Sequence, residues 1–180
     1  MSRGVSVLAL LLALSPQVYA ADTQQTFEGL ISANPLPTGY KLTRHNVSQA
    51  GVGAVMLNVD KQKASPKDVD SPKAMILIGQ TEISDNESRV KWVRGYLGGV
   101  TKHTEKEGFK LISNDGPDLA KADLTKPYVA MLTYVDPSGK NRYLKTRVFF
   151  ARVAYHVGVT SASKDAMNAL WTWAESVKEK

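Results

Sequence analysis

The stretch from Tyr128 to Val159 constrains the fold more than any other part of the chain. Tyr128 to Val135 (YVAMLTYV) is rich in aromatic and β-branched residues, the composition of a half-buried strand. Asp136-Pro137-Ser138-Gly139 follows. Its proline presets φ and its glycine accepts a positive φ, so it reads as a turn between antiparallel neighbours. Tyr143 to Val159 continues in the same style but is too long for one ordinary strand. It is expected to form two strands, bent near Ala151-Arg152. Successive strands on short connections pair antiparallel, so this region belongs to a meander and not to a parallel βαβ array.

The preceding half supplies three more strands. Tyr40 to Arg44 alternates apolar and polar, and Ala54 to Val59 is strand-like after Gly51-Val52-Gly53. Asp60 to Lys73 is a polar loop with two prolines. Ala74 to Gly79 is a dense apolar run, expected to be central and buried on both faces. A helix should begin near Ser84 or Asp85, where Ser84 and Glu87 have capping-box spacing. Val90, Val93, Leu97 and Val100 then share one helical face. Gly95, Gly98 and Gly99 interrupt it, and close packing on the sheet or a helix end near Gly99 would account for them. Arg89, Lys91, Arg94 and Lys102 should face water. Phe109 to Ser113 is a short strand. Ser163 can cap a second helix carrying Met167, Leu170, Trp171, Ala174 and Val177 at three- and four-residue steps.

The expected fold class is therefore α+β, an antiparallel sheet covered by two helices, in one domain over residues 39–180. Residues 21–38, with Asn34-Pro35 and Pro37-Thr38-Gly39, are expected to be irregular. Residues 1–20 have the three parts of a secretory signal peptide. Arg3 gives a positive start, Val5 to Leu14 an apolar run, and Ser15-Pro16 a break before Ala20. The apolar run is too short to span a bilayer. The expected location is periplasmic or secreted, with no transmembrane segment after cleavage. Absence of cysteine excludes a disulfide scaffold, a thiolate metal site and a cysteine nucleophile. The sequons at Asn46 and Asn86 would matter only in a eukaryotic host.

This order of elements resembles the PsbP-like fold group, which includes the extrinsic lumenal subunit of photosystem II and small bacterial secreted proteins. The similarity rests on the helix around Ser84 to Thr101 after three strands and on the hairpin Tyr128–Val135/Tyr143–Phe150. It also rests on the closing strand Val153–Val159, which leads through Thr160-Ser161-Ala162-Ser163 into a helix with Trp171 and Val177. The resemblance implies an α/β/α sandwich and a binding or assembly module. No ligand residue of that group maps onto a position here.

The chemistry-bearing residues are scattered. His45, His103 and His156 lack the spacing of metal ligands, and His156 stands out because it sits in an apolar strand. Ser161-Ala162-Ser163-Lys164 matches Ser-x-x-Lys, but its companion motifs are missing and helix capping explains the serines. The acids from Glu82 to Glu87 fail the EF-hand pattern and suit a helix start. No nucleophile elbow, P-loop or dinucleotide fingerprint occurs. No cofactor, no metal and no catalysis are expected.

The formal charge of +6 concentrates in one region. Lys140, Arg142, Lys145, Arg147 and Arg152 fall in a segment without acids, and Lys145 and Arg147 share a strand face with Tyr143 and Phe149. Such a patch would suit an acidic protein, an anionic glycan or lipid headgroups. Nucleic acid is not expected. Trp173 points away from the face of Trp171; it either packs in the core or covers a neighbouring loop, or is partly exposed as a contact anchor. The expected function is non-catalytic binding through Arg142, Lys145, Arg147, Arg152 and Trp173, as an accessory or assembly factor or as an immunity-type inhibitor of a toxin. A carrier with a pocket between sheet and helix, for a small apolar or anionic ligand, is the alternative.

Overall fold

A computed structural model of the chain describes residues 25–27, 29–49, 52–62 and 70–180. The signal-like residues 1–20 and most of the polar loop before Lys73 lie outside the described residues.

Seven strands form one sheet. In chain order they are β3 (Tyr40–Gln49), β4 (Val52–Lys61), β5 (Lys73–Glu82), β6 (Lys110–Asn114), β7 (Tyr128–Val135), β8 (Asn141–Phe150) and β9 (Val153–Ser161). Their spatial order is β3-β4-β5-β9-β8-β7-β6, with every neighbouring pair antiparallel. The turn after β7 closes as its sequence requires. Gly139 has φ 83°, and Asp136 accepts from the backbone N–H of Gly139 at 2.9 Å. The long run to Val159 does divide at Ala151-Arg152.

Two helices lie on opposite faces of this sheet. Helix α1 (Asn86–Lys106) sits on the face made by Tyr128, Ala130, Leu132, Leu144 and Val148, where Val93 and Leu97 complete the core. Helix α2 (Lys164–Ser176) packs Met167, Leu170, Trp171, Trp173 and Ala174 against Leu57, Ile76, Tyr155, Val157 and Val159. The mixed α+β class with a large antiparallel sheet holds.

Several expectations need correction. The strand buried on both faces is β9, not β5. Ala74, Ile76 and Ile78 are buried under α2, whereas Met75 and Leu77 on the other side are only half-buried. The N-cap of α1 is Asp85, whose Oδ1 accepts from the Ser88 N–H at 2.8 Å, and not Ser84. Arg89 does not face water alone. It donates to the carbonyls of Ile83 and Leu124 and lies 5.4 Å from the Phe150 ring centre. The segment expected to be irregular contains β1 (Gln25–Phe27) and β2 (Ile31–Ala33), which pair antiparallel. β2 also pairs with β10 (Lys178–Glu179) after α2. Ile31 and Ala33 are fully buried there, so burial against α2 holds strands too short to show periodicity.

Candidate functional site

The five residues expected to form a contact patch are largely used inside the fold. Trp173 is 2% exposed, so it packs in the core and is not a contact anchor. Its indole N–H donates to the Asn34 carbonyl at 3.0 Å and its ring meets Phe27 edge-on. The reason is β2: residues 31–34 cover the side of α2 that a two-layer reading leaves open. Arg147 donates to the Val177 carbonyl at 2.9 Å, at the C-terminus of α2, where a cation meets the negative end of the helix dipole. It also lies 4.5 Å from the Phe149 ring centre, and Lys145 stands 4.2 Å over Trp171. Burial lowers the Arg147 pKa from its usual value. Arg152 is exposed and pairs with Glu179 at 3.0 Å.

Arg142 belongs to the opposite face. Its Nε donates to Asp136 Oδ2 at 2.9 Å, and its Nη1 pairs with Asp70. Asp136 also accepts from the backbone N–H groups of Ser138 and Lys140 and from the Ser138 hydroxyl. These donors, led by the Ser138 hydroxyl, hold the Asp136 carboxyl well below the usual carboxylate range.

This ion-paired corner borders a cleft of about 1000 Å³ between α1 and the sheet. Met75, Val100, Phe109 and Leu144 supply apolar walls. Gly95 and Gly99 of α1 line it as well, and a Cβ added at either would meet nothing within 4 Å. The helix glycines therefore do not serve close packing, and α1 runs on to Lys106 well past Gly99. Gly95 and Gly99 are exposed positions on the border of the cleft, and Gly98, equally open, does not line it. Lys73, His103 and the Asp136–Arg142 ion pair stand on its margin. A smaller hollow of about 340 Å³ shares Lys73, Met75, Leu144 and Thr160 with it and extends toward Asn58 and Asp60 of β4.

A polar cluster marks the wall of the cleft. His156 is fully buried in β9, and its Nε2 lies 2.7 Å from the Tyr96 hydroxyl of α1. Burial pushes the imidazole down to about 3, so it is neutral at physiological pH. The ring folds back across Gly158, where an added Cβ would come within 2.8 Å of Cε1. Burial, and secondarily the neighbouring Tyr134, raise the Tyr96 phenol far above its usual value.

Two more residues of the cleft wall have hydroxyls buried without any hydrogen-bond partner. They are Tyr134, 3% exposed, and Ser71, 7% exposed. Sequence reasoning singled out His156 but missed Tyr96, Tyr134 and Ser71. Gly95 and Gly99, two of the three glycines inside an otherwise regular helix, were the trace of the cleft in the sequence.

Among the described residues, no three His, Asp or Glu side chains gather where they could hold a metal ion. Among them, no helix is long and apolar enough to cross a membrane. His103 sits in the last turn of α1, and His45 lies on β3. No protein-family model matches the chain. No curated protein is significantly similar to it in sequence.

Proposed function

We propose that the chain is a non-catalytic binding protein that holds a small, largely apolar molecule in the cleft between α1 and the sheet. The observation that carries this reading is an apolar-walled cleft of about 1000 Å³ between α1 and the sheet, bordered by Gly95 and Gly99. Ligand pockets of about 300–1,000 Å³, mostly apolar with a few placed polar groups, are the usual form for small-molecule binding. Two helix-interior glycines cost about 1 kcal/mol each in propensity. That cost is offset by nothing in the packing of α1, and both positions border the cleft.

The protein-partner reading, whether accessory factor or inhibitor, draws less support. It depended on a free basic face, and Arg142, Arg147 and Arg152 each have an internal partner. The PsbP-like arrangement remains compatible with this proposal, on the strength of helices lying on opposite faces of an antiparallel sheet. Export to the periplasm or beyond is part of the same reading and rests on the signal-like residues 1–20.

Titration of the purified protein with the uncharged probe N-phenyl-1-naphthylamine tests it. The expected result is a saturable fluorescence rise at one probe per chain. A linear, unsaturable signal would count against any carrier role.

A further inference from the structure

The smaller hollow continues the cleft toward β4, and its chemistry differs. The two share Lys73, Met75, Leu144 and Thr160. Under α1 the walls include Met75, Val100, Phe109 and Leu144. Toward β4 they include Asn58, Asp60, Lys73 and Thr160. Register explains the change. Val59, Ala74 and Val159 are buried with α2, so by strand alternation their neighbours Asp60, Lys73 and Thr160 lie on the α1 side of the sheet. Lys73 pairs with Thr160, and Thr160 with Leu144. Asp60 follows the Val59–Ala74 pair and stands next to Lys73 in the same row. Three inter-strand steps of about 4.8 Å each carry this row from Asp60 on β4 to Leu144 on β8. One end of the row is charged and the other is apolar.

The polar end is accessible and the fold does not use it. Lys73 and Thr160 are exposed, and Asn58 and Asp60 are half-buried. Among the described residues, none of these four side chains has a hydrogen-bond or ion-pair partner. Lys41, opposite Asp60 on β3, does not line the hollow. A carboxylate and an ammonium thus stand together with an amide and a hydroxyl, at the open end of an apolar cleft. A net anion there would meet Asp60, and a net cation would meet Lys73. A hydroxyl suits both, because it donates to a carboxylate and accepts from an ammonium.

From this arrangement we infer that the ligand is an elongated, neutral amphiphile. Its apolar chain lies in the cleft under α1, and a head bearing neighbouring hydroxyl groups lies in the smaller hollow, over Asn58, Asp60, Lys73 and Thr160. The inference rests on the carrier reading and adds the orientation of the ligand and the chemistry of its head. Asp60 accepts from one hydroxyl, and Lys73 donates to the next. Thr160 stands where the two parts meet, since it lines both hollows.

The test uses 1-decanoylglycerol and methyl decanoate, esters of one acid of which only the first carries hydroxyls. Each displaces N-phenyl-1-naphthylamine from the full-length protein, below the concentration at which it forms micelles. The inference predicts that the glycerol ester binds about tenfold more tightly, the equivalent of about one net hydrogen bond. In Asp60→Ala and Lys73→Met that preference should fall toward unity. The affinity for methyl decanoate should stay the same, which reports an intact cleft. Equal binding of the two esters by the unaltered protein would overturn the head-group assignment and leave the carrier reading standing. So would a preference that survives both substitutions, or tighter binding of the decanoate anion than of either ester. Displacement of the probe by neither ester would overturn the carrier reading and the head-group assignment together.

Discussion

The Tyr96 hydroxyl and the Nε2 of His156, 2.7 Å apart, join the middle of α1 to the central strand of the sheet. The two rings lie with centroids 4.0 Å apart. A buried polar contact of this kind fixes the helix over the sheet at the edge of a cavity, where apolar packing is thinnest. Gly158 permits it, because the imidazole occupies the space in which a side chain would stand. Gly158→Ala should displace the ring, break the contact and destabilise the fold by about 1–3 kcal/mol, the range for overpacking a core. Urea unfolding of the variant against the unaltered protein measures this.

His156 also gives stability a pH dependence in mild acid. Its pKa is about 3 in the fold, against about 6.5 in an unfolded chain. Between those values the unfolded chain binds a proton that the folded one refuses. Stability should therefore fall as pH drops from about 6.5 toward 3, by up to about 1.4 kcal/mol per pH unit. Urea unfolding at pH 7, 6, 5 and 4.5 should trace this limb. His156→Gln should flatten it.

Asp136 governs a more acidic window. Its folded pKa lies below the ordinary carboxylate value of about 3.9, so its contribution is present above that value and lost as pH falls below it. Asp136→Asn should be less stable than the unaltered protein at pH 7. The difference between the two should shrink below pH ~4. Asp85, Asp123 and Glu179, also depressed, will add to the same limb in both proteins.

The cations of β8 are separable by their internal roles. Arg147→Ala removes the donor to the Val177 carbonyl and should cost about 1.5–3 kcal/mol, as expected for a hydrogen bond from a charged group. Lys145→Gln removes only a contact with the Trp171 face and should cost about 0.5–1 kcal/mol. Thermal or urea unfolding of the two single variants would show equal losses if Arg147 were merely solvated.

Much of the fold was legible because periodicity reports burial. The hairpin through Asp136-Pro137-Ser138-Gly139, the division at Ala151-Arg152 and the Ser163-capped helix all follow local rules, and the structure keeps them. What the chain did not announce depends on contacts distant in sequence. β2 forms because Ile31 and Ala33 find α2 and β10, more than a hundred residues away. Trp173 is buried for the same reason. The two faces of β5 differ because α1 covers β7 and β8 and leaves Met75 beside the cleft. Charge clustering from Lys140 to Arg152 suggested a surface, yet alternation along β8 sends Arg142 and Arg147 to opposite faces, each with its own partner. The trace of the cleft was Gly95 and Gly99, helix glycines with no packing reason.

Those glycines separate stability from binding. In the helix interior, with open space around them, Gly95→Ala and Gly99→Ala should each raise stability, by up to about 1 kcal/mol. Thermal unfolding of the single and double variants checks the sign.

The most direct measurement replaces the empty space itself. Gly99→Leu adds a large side chain at a position that lines the cleft, where an added Cβ meets nothing within 4 Å. Titrated with N-phenyl-1-naphthylamine, the unaltered protein should saturate at one probe per chain. The variant should be at least as stable and bind at least tenfold more weakly. Equal probe affinity in the two proteins would contradict a ligand site beneath α1.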